Sequence, residues 1–135
     1  MNHRAATFLP LTVDAAARLD AGGLLHQALE TDRAAVECWT ALLAGCGSAA
    51  RRDLSPQLRR LSEATSLQVG TRWWFADGAG HRRRVADAQE NLEDAIADGD
   101  GQEFALAFVG YDHAMASAVV CANTASTPKV GERRA

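Results

Sequence analysis

The chain is 135 residues long, which sets one domain as the starting expectation. Its hydrophobic fraction of 47% and charged fraction of 23% are those of a soluble globular protein. A net charge of −3 excludes a polycation that coats nucleic acid by charge alone. Alanine supplies 28 residues and arginine outnumbers lysine 13 to 1, a bias that suggests GC-rich bacterial coding. Leu, Ile, Val and Phe together supply only 27 residues, so alanine, the best helix former, must fill part of the core.

The segment 1–11 has two basic-type residues, His3 and Arg4, but no apolar run of a secretory signal, and reads as a flexible arm. The helical domain is expected over 12–123. Thr12 is placed to cap a short helix through Arg18, ended by Asp20-Ala21-Gly22-Gly23. A long helix fits Leu24 to Ala44, with Leu25, Leu29, Val36, Trp39 and Leu43 at 3–4 spacing and Gly45 as its stop. Ser55-Pro56 reads as a helix start, an N-cap followed by proline at the first helical position. From there Leu58, Leu61, Thr65 and Val69 share a face, and the helix continues in this reading towards Phe75.

Asp77-Gly78-Ala79-Gly80 reads as a turn. A helix follows over His81 to Asp98, with Val85, Ala88, Leu92, Ala95 and Ile96 inward and Gly99 closing it. Asp100 opens the last helix, and Glu103 three residues later completes a capping box. Phe104, Phe108, Tyr111, Met115, Ala118 and Ala122 form its main stripe, and Leu106, Val109 and Val120 make the opposite side apolar as well. Residues 124–135 read as a disordered tail. Strand signals are nearly absent. The expectation is an all-α fold: an antiparallel four-helix bundle with an additional short N-terminal helix.

A helix that is apolar all round must be covered all round. The last helix is therefore either central in a five-helix arrangement or part of a subunit interface, and a homodimer through helix 101–122 is the favoured expectation. Its length also suits a membrane span, but Asp112 and His113 at its centre make insertion costly, and no membrane partner is expected. Charge is segregated. Arg51 to Arg84 carries a net of +5 and Val85 to Asp112 a net of −8. The blocks are expected to be solvated, or to neutralise each other between helices or between subunits.

Two constellations stand out. Trp73 and Trp74 precede glycines and Arg82, Arg83 and Arg84 at a helix start, where exposed N–H groups and guanidinium forks suit a phosphate or nucleic acid and indoles suit stacking. The plainer reading pairs Arg83 and Arg84 with Asp87 and buries the tryptophans. Asp32, Arg72, Tyr111, Asp112 and His113 are polar groups at seam positions. A buried charge needs a partner, so Asp32 or Asp112 is expected to meet Arg72 inside the bundle. The same groups around Tyr111–His113 offer the pocket of a small-ligand binder or enzyme as an alternative.

No catalytic set emerges. His113 and Ser117 lie one turn apart, but the adjacent Asp112 points about 100° away on a helix and cannot orient the imidazole. The four histidines are isolated, no Glu-x-x-His pair exists, and the Asp98–Gly101 stretch lacks calcium-loop ligands at its ends, so neither cofactor nor metal is expected. Cys38, Cys46 and Cys121 form no CxxC and fit reduced thiols in a cytoplasmic protein. The functional expectation is a non-catalytic protein acting by protein–protein interaction, with itself and possibly with another protein.

Overall fold

The computed structural model describes residues 6–47 and 49–126. Among the described residues six helices make up an all-α bundle: α1 (Pro10–Arg18), α2 (Gly22–Ala44), α3 (Ala49–Val69), α4 (Thr71–Phe75), α5 (Ala79–Asp98) and α6 (Gly101–Ser126). The long helices pack in pairs, α2 along α3 and α5 along α6, and α1 bridges α2 and α6. The stops are glycines in the left-handed region, Gly45 at φ 72° after α2 and Gly99 at φ 68° after α5. There a residue with Cβ is disfavoured. At the α5–α6 turn the Asp100 carboxylate accepts the Glu103 N–H at 3.0 Å, the expected N-cap bond.

The main stripe of α6 is the centre of the core. Phe104, Phe108, Tyr111 and Met115 are fully enclosed, and Phe8, Phe104 and Phe108 stand ring against ring at 5.1–5.6 Å. On α2 the inward stripe is Leu24, Ala28, Thr31, Ala35, Cys38 and Leu42. This is one position off the expected Leu25–Leu29–Val36–Trp39–Leu43 stripe, whose members are half-buried or, for Leu43, exposed. Small residues take the seam because α2 lies close against its neighbours, and the larger side chains pack along its flanks.

Three boundaries differ from the sequence reading. α3 begins at Ala49, so Pro56 lies inside the helix rather than at its start. Leu54 is fully buried on the same face as Leu58 and Leu61, and burial of that extra turn outweighs the proline. α3 ends before Gly70, whose φ of 95° breaks the expected continuation and starts the separate turn α4. The arm expected over 1–11 is part of the core from Phe8, because Phe8 and Leu9 are buried. The tail expected over 124–135 overlaps α6, which runs to Ser126. Residues 1–5 and 127–135 lie outside the described residues.

Half of α6 is buried within the bundle, although it is the helix long and apolar enough by composition to cross a membrane among the described residues.

Candidate functional site

The buried polar groups follow from how α1 begins. Pro10 occupies the first helical position, and the residue before it, Leu9, has no side-chain acceptor. The first N–H groups of a helix lack intrahelical partners. Here Asp112 accepts those of Leu11 and Thr12, and Asp32 accepts the N–H groups of the segment that leads into the helix. Asp112 on α6 accepts the N–H groups of Leu11 (3.0 Å) and Thr12 (2.9 Å) and the Thr12 hydroxyl (2.7 Å). Asp32 on α2 accepts the N–H groups of Thr7 (3.2 Å), Phe8 (2.6 Å) and Leu9 (3.0 Å). Negative charge at a helix N-terminus also complements its dipole. Thr12 is thus inside α1 as a donor to Asp112 and does not cap it.

Burial pushes the Asp112 carboxyl above its ordinary range. Hydrogen bonds from Thr12 and Leu11 oppose the rise, and the charge of Asp32 adds to it. The expected meeting with Arg72 does not occur: Arg72 is exposed, and each carboxylate is occupied by backbone N–H groups. His113 is exposed as well, whereas Tyr111 is fully buried. The Tyr111 hydroxyl makes no hydrogen bond among the described residues, although Ser62 lies beside it, and burial raises its pKa.

The basic-aromatic segment is assembled inward. Trp74 is buried, and Trp73 is half-buried with its ring over Gly78 and stacked on His81 at 5.9 Å. The Arg82 Nε–H donates to the Trp74 carbonyl at 3.2 Å, and its guanidinium lies 4.9 Å from the centre of the Phe75 ring. Arg84 meets the His81 ring nitrogen at 3.2 Å, and Arg83 is exposed. The expected pairs of Arg83 and Arg84 with Asp87 are not formed. The only ion pairs among the described residues are Arg18–Asp14 and Arg33–Glu30, each within one helix. No ion pair joins the basic and acidic blocks among the described residues. Polar bridges between the blocks include Arg51, whose guanidinium donates to the Ile96 carbonyl (2.6 Å) at the end of α5 and to the Cys46 carbonyl (3.3 Å) after α2, and the Ser55 hydroxyl, which donates to the Glu93 carboxylate at 3.3 Å.

The outward side of α6 is the most distinctive surface. Leu106 is 60%, Val109 69% and Val120 53% exposed, so α6 is not a central helix covered on every side by the described residues. Leu11 of α1, 49% exposed, stands beside them as a ridge with a groove on each side. The first groove, about 730 Å³, runs between Phe8, Pro10 and Leu11 on one wall and Ala105, Val109 and His113 on the other, over Trp39 and Phe108. The second, about 430 Å³, runs between Leu11, Asp14 and Arg18 and the α6 residues His113, Ser117, Val120 and Cys121. Sequence periodicity marked the α6 residues of this surface. It missed Leu11 and Pro10, which reach it only because Asp112 docks α1 alongside.

The described residues hold no group of three His, Cys, Asp or Glu side chains able to hold a metal ion. Cys38 is enclosed, and burial pushes its thiol up to about 11 against the opposing charge of Arg51, which leaves it protonated and unreactive at neutral pH. Fold and surface together define a small all-α bundle with one open apolar face. Comparison with protein-family models, with curated proteins and with solved structures finds no match.

Proposed function

We propose that this protein is a non-catalytic association module that works through the face formed by α1 and the outward side of α6, and that its first partner is a second copy of itself. The observation that carries the reading is the alignment of Leu106, Val109, Val120 and Leu11 on one face. Their exposed side chains amount to roughly 400 Å², the size of the largest apolar patch on a typical soluble monomer, a patch that is often functional. Leu43, Leu67 and Phe75 are exposed too, but on other helices. A standard interface takes about 800 Å² from each partner, close to a tenth of this chain's 7640 Å² surface. The α1–α6 face with its two grooves can supply it.

Sedimentation velocity over a micromolar concentration series tests the reading. The wild-type chain is expected as a dimer. The double variant Leu106→Asp, Val109→Asp is expected as a folded monomer, because neither side chain is in the core. A wild-type chain that stays monomeric throughout the series overturns the proposal.

A further inference from the structure

The corner between α4 and α5 carries charge and an aromatic ring that the fold itself does not consume. Gly70, at φ 95°, ends α3 and turns the chain into α4, which packs against α5. Trp74 is the buried side of α4. Arg72 and Phe75, three residues apart, share another side. Both are exposed, Phe75 to 61%. Arg82 joins the two helices at this point. Its Nε–H donates to the Trp74 carbonyl, and its guanidinium stands 4.9 Å from the centre of the Phe75 ring. Arg83 is exposed next to it, and Arg84 is held by His81, which stacks on Trp73. The two tryptophans therefore support the corner from within, and Phe75 is its open ring. Residues 72–84 hold four arginines against one acid, Asp77. None of them takes part in an ion pair among the described residues. The first turn of α5 has no acidic residue either, so its arginines stand where the helix dipole disfavours cations. Charge kept at a cost to the helix, with no compensation inside the chain, points to an anion from outside it.

We propose that this corner binds single-stranded nucleic acid, with Phe75 stacked on a base and Arg72, Arg82 and Arg83 on neighbouring phosphates. Guanidinium forks match phosphate oxygens, and cations from two helices border the ring. An aromatic ring accepts the face of any base, so the binding is tolerant of sequence. A duplex keeps its bases stacked inside, so an exposed ring selects an unpaired strand. A net charge of −3 for the whole chain does not oppose this reading, because the basic and acidic blocks are segregated and the phosphates meet the basic one. An anionic membrane fits less well. Phe75 is the one large apolar side chain that α4 and α5 expose among the described residues, which leaves little to insert. The corner is separate from the α1–α6 face, so the two surfaces work independently.

Fluorescence anisotropy of a labelled oligothymidylate of about 10 nucleotides, titrated with the full chain, tests the assignment. Binding is expected at low salt, with log affinity falling against log salt at a slope of about −2, the value for three phosphates on a single strand. Arg72→Ala combined with Arg83→Ala is expected to reduce that slope to about −0.7. Phe75→Ala is expected to weaken binding about fivefold or more and to leave the slope unchanged. The replaced side chains are exposed, so these variants are expected to melt close to wild type. No binding at about 50 mM salt overturns the proposal. So does a Phe75→Ala variant that binds as wild type does, or inorganic polyphosphate that competes as well as the oligonucleotide, since either leaves charge alone at the site. Phosphatidylserine vesicles that bind the chain more tightly than the oligonucleotide assign the corner to a membrane and overturn the proposal as well. The double variant Leu106→Asp, Val109→Asp is expected to bind the oligonucleotide as wild type does, so failure of either surface leaves the other standing.

Discussion

Replacement of Asp112 gives the sharpest test of how the fold is held. Asp112→Ala leaves two backbone N–H groups, those of Leu11 and Thr12, without acceptors, and removes the shortest bond of the Thr12 hydroxyl. Each unsatisfied buried donor costs about 1–3 kcal/mol. The Thr12 hydroxyl retains the Asp112 backbone carbonyl at 3.3 Å, and removal of the carboxylate relieves its own desolvation. The net expectation is a loss of about 3 kcal/mol, or roughly 10 °C in melting temperature for a domain of this size. Asp112→Asn keeps one acceptor and is expected to lose about 1–2 kcal/mol. The pH dependence separates these effects from a general packing defect. Because burial raises the carboxyl pKa in the folded chain, the native state keeps its proton to higher pH than the unfolded chain. Wild-type stability linked to this group therefore falls as pH rises from about 3.9, the unfolded value, through the raised folded value. The asparagine variant lacks that slope. Its deficit against wild type is expected to be largest near pH 4 and to shrink towards pH 7. Denaturant titrations of both proteins at several pH values provide the measurement. A deficit that grows towards neutral pH, or an alanine variant within about 0.5 kcal/mol of wild type, refutes the account.

Arg51→Ala is expected to cost about 1–2 kcal/mol in denaturant unfolding, since it removes charged donors from the Ile96 and Cys46 carbonyls at two helix ends. Gly78→Ala is expected to cost about 1–3 kcal/mol and to shift tryptophan fluorescence, because the added Cβ would fall 2.4–2.9 Å from Trp73 ring atoms and displace the ring. Pro56→Ala is expected to stabilise the chain, by up to about 3 kcal/mol, because alanine supplies the N–H that this helix interior lacks. An unchanged melting temperature there would mean that α3 has already relaxed around the ring.

The parts of the fold legible in sequence were those written in short-range spacing. Phe104, Phe108, Tyr111 and Met115 repeat every three or four residues, and that alone put them in the core. Gly45 and Gly99 ended helices because their φ angles are those glycine favours. Ser55-Pro56 misled because a local start signal competes with the burial of Leu54, whose neighbours on the core face come later in the chain. The anchoring of α1 was illegible for a different reason. Asp112 and Thr12 are 100 residues apart, and apart from the Thr12 hydroxyl the groups that Asp32 and Asp112 bind are backbone N–H groups, which leave no mark in composition. The available signal was negative: a helix opening at Leu9-Pro10 without a side-chain cap needs an acceptor from elsewhere. The α6 surface was legible as an unmet demand for cover, and the structure narrows that demand to one face.

The inner and outer sides of α6 are connected through a single carboxylate. Asp112 faces α1, while His113 and Val109 beside it face out. By accepting the Leu11 N–H, Asp112 sets where the Leu11 side chain stands, and Leu11 is the wall shared by both grooves. A chain with Asp112 replaced keeps Leu106, Val109 and Val120 on its surface but loses the ridge against which a second copy would fit. Its self-association should therefore weaken even under conditions where it remains folded. A variant such as Leu106→Asp should do the reverse, abolishing association while leaving the monomer's own stability near that of wild type. In this view the alanine-rich core, short of large side chains, draws two results from one buried aspartate: a capped helix that would otherwise begin with orphaned donors, and an apolar surface with a defined shape.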